Sequence, residues 1–179
     1  MLEGRRAIFD TSALITACKF TVRGRRLVAW ILQGHGIVLP SGVAEEALRG
    51  KDRHEDAAVI AELIASKAIQ AEPARVPPDS FLHAYELGSG EKEAICLYLD
   101  HGEAVTPVVT HDKLAYLVCD RMGVRKRLFL DLVLDLVRDG VLAIDMAREI
   151  IAACVSRYSR GITRHSLVLL EEVERQWQR

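Results

Sequence analysis

The amino-acid sequence predicts an α/β fold with a mostly parallel central sheet, and three observations carry that expectation. Short apolar runs recur at 6–9, 36–39, 105–109 and, more weakly, 124–127. Each run is followed by a helical pattern, and strand–helix alternation of this kind builds parallel sheets, because the crossover helix returns the chain to the start of the next strand. The composition is ordinary for a globular chain: 179 residues, 50% hydrophobic and 27% charged, enough for one domain with a substantial core.

The elements follow in order. Arg6, Ala7, Ile8 and Phe9 form the first strand, which ends on Asp10. Leu27, Trp30 and Ile31 give the first long helix an apolar stripe, and the glycines of QGHG close it. After the second strand, Ser41 is placed as the N-cap of GVAEEALRG, with Gly50 as its stop. An amphipathic helix is expected over 57–68, then a loop through PARVPPD, whose prolines oppose regular structure, then a helix capped by Asp79. Helices follow over 90–101 and 112–122, and the last third reads as three more over 129–138, 146–158 and 164–176. There is no internal repeat and no low-complexity segment.

Composition also excludes classes. No apolar run approaches the roughly 20 residues that span a bilayer. The opening MLEGRRAIFD is basic but lacks a signal-peptide core, so the expectation is a cytoplasmic protein without a membrane partner. Cys18, Cys96, Cys119 and Cys154 are far apart and form no CxxC pair, which argues against zinc or a disulfide framework. A formal net charge of −1 neither demands nor forbids nucleic acid; clustering decides that.

In an open α/β sheet, ligands gather outside the carboxyl ends of the strands. Asp10 directly follows the first strand, and Asp112 follows VTPVVTH, so both are expected at one edge of the sheet. Taken singly, each also reads as a helix cap or first-turn acid. Helical phase adds Glu91, which heads the inward stripe of Ala94, Ile95 and Tyr98, whereas Glu93 is expected on the solvated side. Glu46 shares an i, i+3 stripe with Val43, while Glu45 turns away from it; Glu45 and Glu93 stand as the alternates. Carboxylates gathered without a counter-ion would raise one another's pKa and destabilise the fold, and a divalent cation removes the conflict. Hard oxygen donors favour Mg²⁺ or Mn²⁺, and such a centre suits phosphodiester hydrolysis. Thr11, Ser12 and Thr110 stand beside the acids, where they orient water, hold the carboxylates or simply cap helices.

These segments resemble a PIN domain. IFDTSALI is similar to that family's opening strand and first acid, and IVLPSGVAEEAL to its second strand and V-x-x-E helix. GSGEKEAICLYLDHG resembles the third-acid helix of the subgroup with a GExEAI-type segment, and VVTHDKLAYLVCDRMGV the strand, fourth acid and helix that follow. The resemblance implies a three-layer α/β/α fold with a short sheet of four to five strands. It matches Asp10, Glu46, Glu91 and Asp112 to the family's acidic quartet of catalytic metal ligands, and Ser12 and Thr110 to its supporting hydroxyls. It further implies a Mg²⁺- or Mn²⁺-dependent endoribonuclease that leaves 5′-phosphate and 3′-hydroxyl ends. Many small members are VapC-like toxins that form dimers and are silenced by an antitoxin whose tail inserts a basic side chain into the acidic site. Two departures stand out: an insert over 51–78, and extra helices that divide the chain into a nuclease domain at 1–142 and a C-terminal extension packed on it at 143–179.

An acidic centre needs basic flanks to hold RNA phosphates. Lys19, Arg23, Arg25 and Arg26 follow Asp10, and Arg121, Arg125, Lys126 and Arg127 follow Asp112; solvated helix ends explain both clusters nearly as well. The reading that emerges is a metal-dependent endoribonuclease acting as the toxin of a toxin–antitoxin pair. Its alternatives are a non-catalytic PIN-like interaction module and a stand-alone RNA-processing nuclease. A phosphoacceptor receiver domain fails for want of an acidic pair beside the first strand. A haloacid-dehalogenase-like phosphatase fails because Ser12 stands where its second Asp would be.

Overall fold

The computed structural model describes residues 5–101 and 107–177. Five strands, β1 (Arg6–Phe9), β4 (Gly36–Pro40), β5 (Gln70–Glu72), β6 (Val108–Val109) and β7 (Lys126–Arg127), form one parallel sheet in the order β5-β4-β1-β6-β7. The pairing aligns Ile8 with Val38 on one side and with Val108 on the other, and Phe9 with Val109. Strand order therefore reverses between β1 and β6, the two strands that lead into Asp10 and Asp112. The crevice at such a reversal is where α/β sheets bind ligands.

Alternation along the strands divides the core into two layers. Ala7, Phe9, Ile37, Leu39 and Val109 face one hydrophobic cluster. Helices α1 (Thr11–Lys19), α2 (Leu27–Ile31), α3 (Ser41–Gly50), α4 (Glu55–Ala65) and α7 (Phe129–Arg138) contribute to it. Ile8, Val38 and Val108 face the other cluster, covered by α5 (Ser89–His101) and α6 (Lys113–Arg121). Helices on both faces of a parallel sheet give the α/β/α sandwich that the sequence predicts. Helices α8 (Ile144–Ala153) and α9 (Arg160–Trp177) extend the first layer through Ile150, Ile151, Leu170 and Val173.

Several local expectations are corrected. The stripe of Leu27, Trp30 and Ile31 lies on the five-residue α2, not on a long helix. A small hairpin precedes it, β2 (Thr21–Val22) and β3 (Arg25–Arg26), turned by Arg23 and Gly24 at φ of +49° and +74°. β-Branched residues beside a glycine that tolerates positive φ favour a tight hairpin over a continued helix. Ser41 is the first residue of α3 rather than its cap, and its hydroxyl accepts from the Ala74 amide at 3.4 Å. Ser80, not Asp79, caps the element after the proline loop, and that element is one 3₁₀ turn, Phe81–Ala84. The insert over 51–78 supplies α4, packed on α1 and α3, and then β5, the sheet's outer strand. The expected strand at 105–109 is described only at Val108–Val109; residues 105 and 106 lie outside the described residues.

Gly90 sets how closely α5 approaches the rest. A Cβ there would lie 2.5 Å from Thr11 Oγ1 and 2.9 Å from Val43 Cγ2, so the absence of a side chain lets α5 seat its first turn against α1 and α3. Gly90→Ala is expected to lower the melting temperature by about 2–6 °C, overpacking outweighing the gain in helix propensity. Thermal unfolding of the two proteins side by side checks this.

Candidate active site at the sheet edge

Asp10 is fully buried, and its two oxygens have different fates. Oδ1 accepts the Ala13 amide at 2.7 Å and the Ser12 hydroxyl at 2.8 Å, which makes Asp10 the N-cap of α1. Oδ2 is equally buried and has no hydrogen-bond partner. The cap and the site are thus not rival readings of this residue; each has one oxygen. Burial pushes the Asp10 carboxyl above its usual range. The Thr110 hydroxyl, the Ala13 amide and Ser12 oppose the shift, and Asp112 adds to it. The Thr110 hydroxyl is near enough to favour the charged form, but Oδ2 gains no hydrogen bond of ordinary geometry from it.

Asp112 repeats the arrangement on the next strand. Its Oδ1 caps α6 by accepting the Ala115 amide at 2.7 Å, and its own amide donates to Thr110 Oγ1 at 2.9 Å. Ser12 ties the two acidic turns together, because its Oγ also accepts the His111 amide at 3.3 Å. Glu91, in the first turn of α5, accepts the Gly88 amide through Oε2. Its carboxyl is raised chiefly by burial, and then by the charges of Asp10 and Asp112. These three carboxylates, carried by β1, β6 and α5, therefore act on one another electrostatically.

Glu46 stands slightly apart. It is exposed on α3, is approached by Thr11 Oγ1 at 3.5 Å, and is not among the charges that raise Asp10 or Glu91. It instead acts on Glu93, as does Glu45, which is also exposed. Glu93 is not the solvated residue expected from helical phase. It is half-buried, and its Oε2 accepts the Gly42 amide at 3.0 Å, fastening α5 to the start of α3. An amide in the first turn of α3, lacking a partner within the helix, is a ready donor to a nearby carboxylate.

The basic flanks are largely engaged elsewhere. Arg23 bridges to Asp145 and Glu149 on α8, Arg25 lies 4.4 Å over the Trp30 ring, and Arg26 donates to the Cys18 carbonyl and pairs with Glu55. Lys19 is an exposed residue in the last turn of α1. One cation was invisible to sequence reasoning. Arg157, exposed in the 3₁₀ turn between α8 and α9, donates from Nε to Thr16 Oγ1 at 3.1 Å, one helical turn beyond Ser12. Nothing in its sequence context links it to Thr16, 141 positions earlier, because only the packing of the C-terminal helices brings them together. Arg157 also acts on His111, whose ring lies 4.7 Å from that of Tyr158 and 6.1 Å from that of Phe129. Both ring nitrogens of His111 are buried without partners, and burial lowers its pKa to about 4.

Among the described residues no three His, Cys, Asp or Glu side chains form a ready-made metal cage. A divalent cation nevertheless fits the donor set. Mg²⁺ keeps several waters and needs only one or two protein carboxylates, and Asp10 Oδ2 is a buried, unpartnered, hard oxygen donor beside two further acids.

A family model described as a PIN domain matches residues 6–172. The chain belongs to this family, and the match spans the four acids and runs through α8 into α9. PIN domains are generally nucleases, so the fold is of nuclease type. No curated protein matches the chain.

Two outcomes follow from the electrostatics. Asp10→Asn keeps the helix cap and removes a buried charge. Without metal at pH 7.5 it is expected to raise the melting temperature by about 2–8 °C, and to abolish any rise that millimolar Mn²⁺ gives the wild type. The second concerns His111. A histidine held below its unfolded pKa stabilises the neutral fold, and that contribution fades as pH falls from about 6.5 towards 4, whereas the raised Asp10 and Glu91 pull the other way. His111→Phe should therefore gain on the wild type by on the order of 2 kcal/mol between pH 7.5 and 4.5, read as the difference in melting temperature across pH.

Proposed function

From membership of that family, we propose that this chain is a divalent-metal-dependent endoribonuclease and the toxin of a VapBC-like pair. The observation that carries the reading is the buried, half-satisfied Asp10 carboxylate, placed beside Glu91 and Asp112 at the strand-order reversal. A protein that needed only a helix cap would not bury a second, unpaired oxygen, because desolvating it is costly.

In this reading Asp10, Glu91 and Asp112 hold Mg²⁺ or Mn²⁺, with Glu46 at the rim. The bound cation supplies Lewis acidity, which activates water and offsets charge on the scissile phosphate. The chain's own groups do the rest. Ser12 and the Ala13 amide fix the Asp10 carboxylate through Oδ1, and Thr110 fixes the Asp112 backbone, so neither acid reorganises when charge builds. Arg157 offers an exposed guanidinium beside Thr16 of α1 and close enough to act on His111, the neighbour of Asp112, and in this reading it meets a substrate phosphate there. Water attacks phosphorus in line, the bond to the 3′-oxygen breaks, and that oxygen leaves with a proton, giving 5′-phosphate and 3′-hydroxyl ends.

The toxin role rests on the same charge imbalance. A site where Asp10 and Asp112 raise the Glu91 carboxyl accepts a cationic side chain as readily as a metal, so an antitoxin tail carrying Arg or Lys would silence it. Exposed Leu48, Leu99, Leu117 and Val168 offer apolar surface for a homodimer or for that partner. Four buried free cysteines suit a reducing cytoplasm.

Cleavage of a mixed RNA pool with Mn²⁺ or Mg²⁺ tests the proposal. Wild type is expected to cut, Asp10→Asn and Glu91→Gln to lose at least about 100-fold in rate while remaining folded, and EDTA to stop the reaction. Equal cutting by wild type and Asp10→Asn would remove the site from the chemistry.

A further inference from the structure

A second cavity, of about 640 Å³, lies on the β7 side of the sheet and is lined by none of the four acids. We propose that it holds one nucleotide of a bound RNA strand away from the scissile bond; the inference rests on the nuclease reading. Its volume suits a nucleotide-sized guest. Five cations, Arg5, Arg6, Arg125, Lys126 and Arg127, line it against two carboxylates, Asp120 and Asp135. Tyr116 contributes an aromatic wall of the kind that stacks splayed-out RNA bases, with Lys126 Nζ 5.2 Å from its ring centre. His35 also lines it, 7% exposed, with Nε2 buried and unpartnered, a polar atom that a base edge would satisfy.

The cavity lies towards the amino ends of the strands, among Arg5, Arg6, His35, Pro107 and Val124, and Arg127 is its link to the acidic edge. Arg127 is in register with Val109, the residue before Thr110, so the basic wall begins level with the acids. It then runs along β7 to Arg125 and across to Arg6 and Arg5 at the opposite end of β1. Asp10 and Arg6 are four residues apart on one extended segment, roughly 13 Å, and because β1 is buried on both faces a strand reaching both ends passes around the edge strand β7.

Several of these cations already have partners. Arg5 pairs with Asp139, Arg6 with Glu72, Lys126 with Asp120, and Arg127 with Asp135 at 3.7 Å, while Arg125 donates to the Tyr98 hydroxyl at 3.2 Å. The Arg5 and Arg127 side chains are half-exposed, and exposed ion pairs of this kind are weak. They hold each guanidinium at the cavity mouth without saturating it, and a phosphate, which accepts two donors at once, displaces the carboxylate.

The test is equilibrium binding of single-stranded RNA oligonucleotides of increasing length to the Asp10→Asn protein, with and without Arg5→Gln and Arg127→Gln. The parent protein should bind longer strands more tightly than short ones. The triple variant should lose about 10-fold in affinity for the long strand only, with the salt slope shallower by about 1.4, the value for two lost contacts to single-stranded RNA. Unchanged affinity and slope in the triple variant, while the parent still binds, overturns the cavity and leaves the nuclease reading standing. No RNA binding by the parent, together with no cleavage by wild type, overturns both. If adenosine monophosphate binds and only its binding falls in the variant, the cavity belongs to a free nucleotide and the proposal is wrong. Melting temperatures confirm folding, and the single Arg127→Gln change, if the pair unfolds the protein, reads the same losses at about half size on the salt slope.

Discussion

Everything at the acidic edge depends on β1 pairing in parallel with two neighbours at once. The ladder aligns Ile8 with both Val38 and Val108 and continues past Phe9, since the Asp10 amide donates to the Val109 carbonyl at 3.1 Å. Because all three strands point the same way, their carboxyl ends coincide, and Asp10 and Asp112, 102 positions apart, meet without a long loop to position them. Parallel strands need crossover helices, and those helices begin where the strands end. Asp10 and Asp112 each take one helix cap, so the same carboxylates that order the local backbone are also presented at the crevice.

Stability and chemistry pull against one another at this edge. Asp10 is buried with one oxygen satisfied and the other left alone, while burial and two neighbouring acids raise Glu91. The surrounding hydrogen bonds counter that tension rather than remove it: Ser12 joins the two acidic turns, Thr110 holds the Asp112 amide, and Glu93 pins α5 to α3 through the Gly42 amide. Gly90 allows the helix carrying Glu91 to come close enough for its charge to matter.

The C-terminal helices bear on the site more closely than an appended surface would. They fill the first core layer through Ile150 and Leu170, anchor Arg23 through Asp145 and Glu149, and carry Arg157 to Thr16. The ring of Tyr158 covers His111, the residue next to Asp112. Cations that look available in the sequence, Arg23 and Arg26 above all, are engaged in this packing, whereas Arg157 gives no sign in the sequence of reaching Thr16.

The sequence by itself determined the alternation of elements, the parallel sheet and the acids at its edge, because apolar period and strand-end position are local properties. It also singled out Asp10, Glu91 and Asp112, whose place depends only on following a strand or heading a helix stripe. It misjudged what depends on contacts distant in the chain. The long helix expected around Leu27, Trp30 and Ile31 is five residues behind an unforeseen hairpin at Thr21–Arg26, and β5 was also unforeseen, since its three residues pair only because Pro40 and its neighbours offer an edge. Glu93 was read as solvated because helical phase does not reveal that an amide of α3 lies opposite. Only the tertiary structure decided that Glu46 stands exposed beside Thr11, that Arg157 reaches Thr16, and that one oxygen of Asp10 is left without a partner. Those facts follow from how packed layers bring side chains together in space, and sequence spacing carries no record of that.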